Sequence, residues 1–168
     1  NQELTIQNAL ERVRARALGM QESDDLVAVS RAVFDELKKL GVPAAISSIG
    51  VVDEKDGGLR VAPTFDEGSM DWFVVPREEW RSNPVLAEAL VSWERGDPWI
   101  VTTIEGDAAR DFDAFWYRVM TTERNRALFE RVMGGQDFPV RDRVTFATVW
   151  FPRGYLYLDL AHPDADEP

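Results

Sequence analysis

His162 is the only histidine in the chain and cysteine is absent, so few residues can act as a nucleophile or base. A Ser/His/Asp triad would have to use His162, and no G-x-S-x-G turn presents a serine to it. As a phosphoacceptor His162 would need a place on a dimerisation helix, yet Pro163 follows it and biases the position away from helix. The lack of cysteine removes thiolate metal sites, disulfides and cysteine nucleophiles. Neither a GxxxxGK[ST] nor a GxGxxG loop occurs, so nucleoside triphosphate chemistry has no support. These absences point away from an enzyme and name no cofactor.

The remaining candidates are carboxylates, arginines and aromatic rings. Asp53, Glu54 and Asp56, and then Asp66 and Glu67, fall in predicted turns, where solvated acids are the rule. They also lack the calcium-loop spacing. Glu105, Asp107 and Asp111 flank the start of a predicted helix, where negative charge meets the positive end of the helix dipole. Arg110, Arg118 and Arg124 offer an anion contact or are simply solvated.

The six tryptophans are the unusual feature. On one reading they fill the space between sheet and helices, since each buries a large area. On the other, Trp72, Trp99, Phe115, Trp116, Phe146 and Trp150 wall a pocket for a flat or apolar ligand.

Composition bounds the partners. A length of 168 residues suits one domain with a sizeable core. A formal charge of -11, from 19 Lys and Arg against 30 Asp and Glu, argues against nucleic acid and against direct contact with an anionic membrane. No apolar run is long enough to span a bilayer, and no signal-peptide pattern opens the chain. A soluble protein is expected, and a start at Asn1 without Met is expected of an excised fragment.

Two amphipathic helices must open the fold. Ile6, Leu10, Val13, Ala17 and Met20 form one stripe, and Leu26, Val29, Val33, Leu37 and Leu40 form the next. Gly19 weakens the join, Ser23 offers an N-cap with Asp24 and Asp25 behind it, and Gly41 and Pro43 stop the second helix. The first stripe suits a parallel coiled coil or a helix folded back over its own sheet.

Strands are predicted at 43–53, 59–65 and 70–75, followed by a connector at 76–81. Ser47, Ser48 and Gly50 make the first strand thin, for tight helix packing or for close approach of a ligand. Asn83 and Pro84 open a helix that Gly96 closes, with Leu86, Ala89, Leu90 and Trp93 on one face. A strand at 99–104 precedes a helical region at 107–133 with a break near Thr121 and Thr122. Strands at 144–151 and 155–160 form a hairpin, and an acidic tail follows at 162–168.

Several segments together, namely ALERVRARA with Ser23-Asp24-Asp25-Leu26 and the spacing Phe34, Leu37, Leu40, Gly41, then SMDWFVVP, LVSWERGDPWIVTTIEGD and VTFATVWFPRGYLYLDL, carry a resemblance across nearly the whole chain. The sequence resembles GAF-like sensor domains of bacterial multi-domain sensor histidine kinases. That resemblance implies an α+β fold, a GAF-like antiparallel sheet of about six strands with the first strand central and near the last, and packed helices. It also implies a signalling helix at 1–20, a sensor domain at 21–161 and the tail at 162–168. The implied protein is a non-catalytic cytoplasmic module, a homodimer through Ile6, Leu10, Val13, Ala17 and Met20. It would be joined to an output module such as a kinase and receive an unspecified small molecule. The competing expectation is a structural dimerisation or partner-docking domain with a filled core.

Overall fold

A computed structural model describes residues 2–20, 26–41, 44–66, 68–135, 138 and 140–160. In chain order the elements are α1 (Gln2–Met20), α2 (Leu26–Lys39), β1 (Ala44–Val52), β2 (Leu59–Thr64), β3 (Phe73–Val75), α3 (Arg77–Ser82), α4 (Pro84–Glu94), β4 (Trp99–Glu105), α5 (Asp107–Met120), α6 (Arg126–Met133), β5 (Arg143–Phe151) and β6 (Gly154–Leu160). The strands pair antiparallel throughout, in the order β3-β2-β1-β6-β5-β4. The expected α+β class, with the first strand central beside the last, is therefore what the chain adopts.

Helices cover both faces of the sheet. Val29, Val33, Phe34 and Leu37 of α2 and Ala9 and Leu10 of α1 meet Ile49, Val51, Ala147, Val149, Leu156 and Leu158 on one face. On the other, Phe115, Val119 and Met120 of α5 and Phe129 of α6 join Leu59, Val61, Phe73 and Val75, while Ala109 and Phe112 pack on Val144 and Phe146. Side chains alternate along a strand, so a strand buried on both faces must be apolar on both. β5 meets that demand, since every residue from Phe146 to Phe151 is buried.

Local chemistry sets the helix limits. Asn83 Oδ1 accepts from the backbone N–H of Val85 at 3.0 Å and of Leu86 at 3.2 Å, and Pro84 follows as the first helical residue. The helical region divides as expected near Thr121, and the buried Asn125 Nδ2 donates to Val119 O at 2.9 Å across the break.

Three expectations need correction. The connector at 76–81 is mostly helix α3, a single short turn-rich segment too brief for an apolar period to register. The third strand is reduced to Phe73–Val75, preceded by the isolated Thr64–Ser69 bridge and the buried Met70. Leu40 is exposed, so the stripe of α2 ends at Leu37.

Of the five residues read as a dimer seam, Leu10 alone has a described side chain. Leu10 is 2% exposed and lies in the core against its own sheet, so it is not available to a partner. The side chains of Ile6, Val13, Ala17 and Met20 lie outside the described residues, as do Ser23 to Asp25, Pro43, Glu67 and the tail with His162.

Candidate functional site

The central strands present an unusual inner face to α4 and α5. Ser48 pairs with Tyr157 and Gly50 with Tyr155 across β1 and β6, and Tyr157 and Tyr155 pair in turn with Thr148 and Trp150 of β5. Directly opposed residues point to the same side, so these positions, with Asp159 and Phe146 one step along, form a patch of mixed polarity beneath the helices. Gly50 is a glycine for a packing reason: a Cβ there would lie 2.3 Å from the Tyr155 ring, which rests on the strand backbone.

Above this patch stands a buried charge cluster. Asp113 on α5 and Asp159 on β6 are each 1% exposed, and Arg141, just before β5, reaches both. Arg141 Nε and Nη2 donate to Asp113 Oδ2 and Oδ1 at 3.1 and 2.8 Å, and its backbone N–H donates to Asp113 Oδ2 at 2.8 Å. Nη1 and Nη2 donate to Asp159 Oδ1 and Oδ2, both at 2.8 Å. Tyr157 Oη donates to Asp159 Oδ2 at 3.1 Å. The planar fork of arginine suits two bidentate carboxylates, and two acids against one guanidinium leave one negative charge in excess.

The environment moves the titrating groups. Burial works against the charged guanidinium of Arg141, but the hydrogen bonds it donates to Asp159 and Asp113 outweigh it and hold its pKa above the ordinary arginine value. Burial, reinforced by the charge of Asp159, pushes Tyr157 well above the usual tyrosine value, and burial alone raises Tyr155. Both phenols thus favour the neutral form in the fold. Their contribution is complete below the unfolded value of about 10 and is lost as pH rises from there toward the folded values. In an alkaline titration, tyrosinate absorbance from Tyr155 and Tyr157 is expected to appear only together with loss of the near-ultraviolet circular dichroism of the fold. Ionisation of both in a protein whose dichroism is intact would show that they are not buried.

Two cavities of about 40 Å³ each lie between this patch and the helices. The first is bordered by Ser48, Asp113, Arg141, Tyr157 and Asp159 as well as by aromatic rings. The second is bordered mainly by apolar side chains, among them Leu86, Leu90, Trp93, Phe146 and Trp150. Trp116, Tyr155 and Tyr157 line both and so stand between them.

The predicted pocket residues divide accordingly. Trp116 borders both cavities, and Phe146 and Trp150 border the second, where Trp150 stacks on Trp93 with ring centres 6.4 Å apart. Phe115 is buried in the core beside Trp116 and lines neither cavity. Trp72 and Trp99 are corrections, because both lie on the opposite face with α1 and α2. Trp99 is opposite Val149, which fixes its side, and Trp72 packs under the Arg60 guanidinium at 5.2 Å.

The charge cluster was missed by sequence reasoning. Its available signals were Asp113 within the apolar stripe of α5 and Asp159 in YLYLDL, each a charged residue at a core-facing position. Among the described residues no group of three or more His, Cys, Asp or Glu is arranged to hold a metal ion. No helix among them is long and apolar enough to cross a membrane.

No protein-family model matches the chain, and comparisons with curated proteins and with solved structures find no significant match.

Proposed function

We propose that the chain is a non-catalytic, GAF-like sensory module of a bacterial signal-transduction protein, such as a cytoplasmic sensor histidine kinase, and that it receives a small molecule beneath α4 and α5. The observation that carries this reading is the pair of adjoining cavities, both walled largely by apolar surface, the first with the hydrogen-bonding groups of Ser48, Asp113, Arg141, Tyr157 and Asp159 at its border. The resemblance of the front helices and of the last hairpin to such domains points the same way. A filled structural core has no need of charged groups at its centre, because a buried ion cluster adds little net stability over apolar packing.

The fold offers a route for the signal. Ser48 and Tyr157 face the cavity, while their neighbours Ile49 and Leu158 face α1 and α2 on the other side of the sheet. A ligand that prefers one packing of β1 against β6 shifts the population of that packing. The opposite helices follow, and with them the orientation presented to a partner protomer and an output module.

The test is native mass spectrometry of the purified protein, followed by thermal shifts with a small-molecule collection. An adduct of defined mass, or a saturable rise in Tm, is the expected result. A bare polypeptide mass together with no shift from any compound would favour the structural docking domain, a reading that the small volume of the two cavities supports. The same spectrum reports whether the chain is dimeric.

A further inference from the structure

The two edges of the sheet are built differently. β3, at one end, is three residues long with Asp71 ahead of it. β4, at the other, runs for seven residues, WIVTTIE. Edge strands of monomers are commonly kept short or guarded by lysine, proline or a bulge. Within β4 there is no basic residue and no proline, and its register with β5 runs without a shift. Its one charge, Glu105, is paired with Arg143 at 3.1 Å.

The hydrogen-bond pattern shows which groups face outward. At the two ends of the ladder the Trp150 N–H donates to Pro98 O at 3.1 Å and the Gly106 N–H donates to Asp142 O at 2.8 Å. Bonded and non-bonded pairs alternate along an antiparallel ladder, so Ile100, Thr102 and Ile104 bond to β5. Trp99, Val101, Thr103 and Glu105 turn their N–H and C=O groups the other way, where among the described residues no strand lies. Val101 is 49% exposed, and Thr103 and Glu105 are exposed as well.

The order of residues selects the partner. Laid antiparallel on a second copy of itself about Thr102, the strand puts Ile100 opposite Ile104, Val101 opposite Thr103 and Trp99 opposite Glu105, with Thr102 opposite its own equivalent. In that register the outward residues of one copy all fall opposite outward residues of the other, as bonded pairs require. The two Glu105 carboxylates lie at opposite ends, so no like charges meet, and β-branched side chains face each other across the join. Both copies use the same surface, which closes the pair by a two-fold axis.

We propose that β4 is a self-association surface, at which two copies of this chain pair edge to edge, antiparallel about Thr102, into one continuous sheet. The contact needs no ligand, so it stands independently of the sensory reading. Seven residues a side make a small interface, and a Kd of about 1–100 μM is expected.

Sedimentation velocity of the whole chain over a concentration series is expected to show a reversible monomer–dimer equilibrium. Val101→Pro is expected to weaken it about tenfold or more while the far-ultraviolet dichroism is kept, because the N–H it removes faces outward and not toward β5. The chain has no cysteine, so Thr102→Cys gives each copy a single thiol, placed at the two-fold axis. A non-bonded antiparallel pair holds its Cα atoms about 4.5 Å apart, within reach of a disulfide. Mild oxidation is expected to link Thr102→Cys into a covalent dimer about tenfold faster than Val74→Cys, whose thiol sits on the opposite edge at a position 40% exposed.

A chain that stays monomeric up to about 1 mM leaves the edge to a strand of another protein and overturns the proposal. So does a dimer that Val101→Pro leaves intact, or a Thr102→Cys link that forms no faster than the Val74→Cys one. Should Val101→Pro fail to fold, the cross-linking comparison decides.

Discussion

Arg141→Met is expected to lower the unfolding free energy by about 3–5 kcal/mol, read from urea denaturation, because it leaves two buried carboxylates facing each other with no cation between them. Arg141 joins Asp113 to Asp159, and its side chain is 25% exposed while theirs are nearly sealed. The two acids have little access to water to replace the lost hydrogen bonds. Methionine keeps much of the volume, so the loss reports on charge and hydrogen bonding more than on a cavity.

The triple replacement Arg141→Met with Asp113→Leu and Asp159→Leu sharpens the test, since an all-apolar set is expected to recover most of the loss. Full stability of the single variant would mean that the cluster is open to water. A triple variant as unstable as the single one would mean that the arginine holds the segment before β5 by shape.

The second large effect is expected at Gly154. A Cβ on that residue would lie 1.9 Å from Gly50 O, a backbone atom of β1. At Gly50 the corresponding obstacle is the Tyr155 ring, which has some freedom to turn. A backbone obstacle moves only if β1 and β6 separate, and these two strands form the middle of the sheet. Gly154→Ala should therefore cost about 3 kcal/mol, the upper end for overpacking, and should exceed the loss from Gly50→Ala. Denaturation gives the magnitude. Faster amide hydrogen exchange in β1 and β6 than in β4 would locate the damage. A loss below about 0.5 kcal/mol, the range of ordinary surface substitutions, would show that the two backbones have room between them.

Elements with a clear period were legible in the sequence. Val29, Val33 and Leu37 fixed the buried side of α2, Asn83 and Pro84 marked the start of α4, and the apolar run of β5 matched a strand buried on both faces. The thin first strand had two readings, of which tight packing is visible in the fold. Ser47 is fully buried on the side where α2 packs on β1, and Ser48 borders the cavity on the other.

What escaped the sequence reading is tertiary. Trp99 is near a cavity or remote from it according to its register with Val149, and a slip of one residue would reverse its side. Trp72 precedes β3, so no strand period constrains it. Arg141 meets acids that lie far from it in the chain, on α5 and β6, and only the sheet order brings them together. Leu10 was legible as apolar. Whether that surface was covered by its own sheet or by a partner depends on how the chain turns after α1.

The adjacency of β1 and β6 bears on how the protein is made. The pairing of Ala44 with Leu160 closes the whole sheet, from its first strand to its last, into one loop, and such non-local contacts carry a loop-closure cost before they return stability. During synthesis β1, β2 and β3 emerge with one edge of β1 unpaired until the final strand leaves the ribosome. Until then α2 has only part of a sheet to cover, and the apolar inner faces of β1 and β5 are held apart. Folding of the sheet is thus gated by the emergence of β6. An interrupted chain exposes the strand edge that β6 would have filled, and such edges seed aggregation.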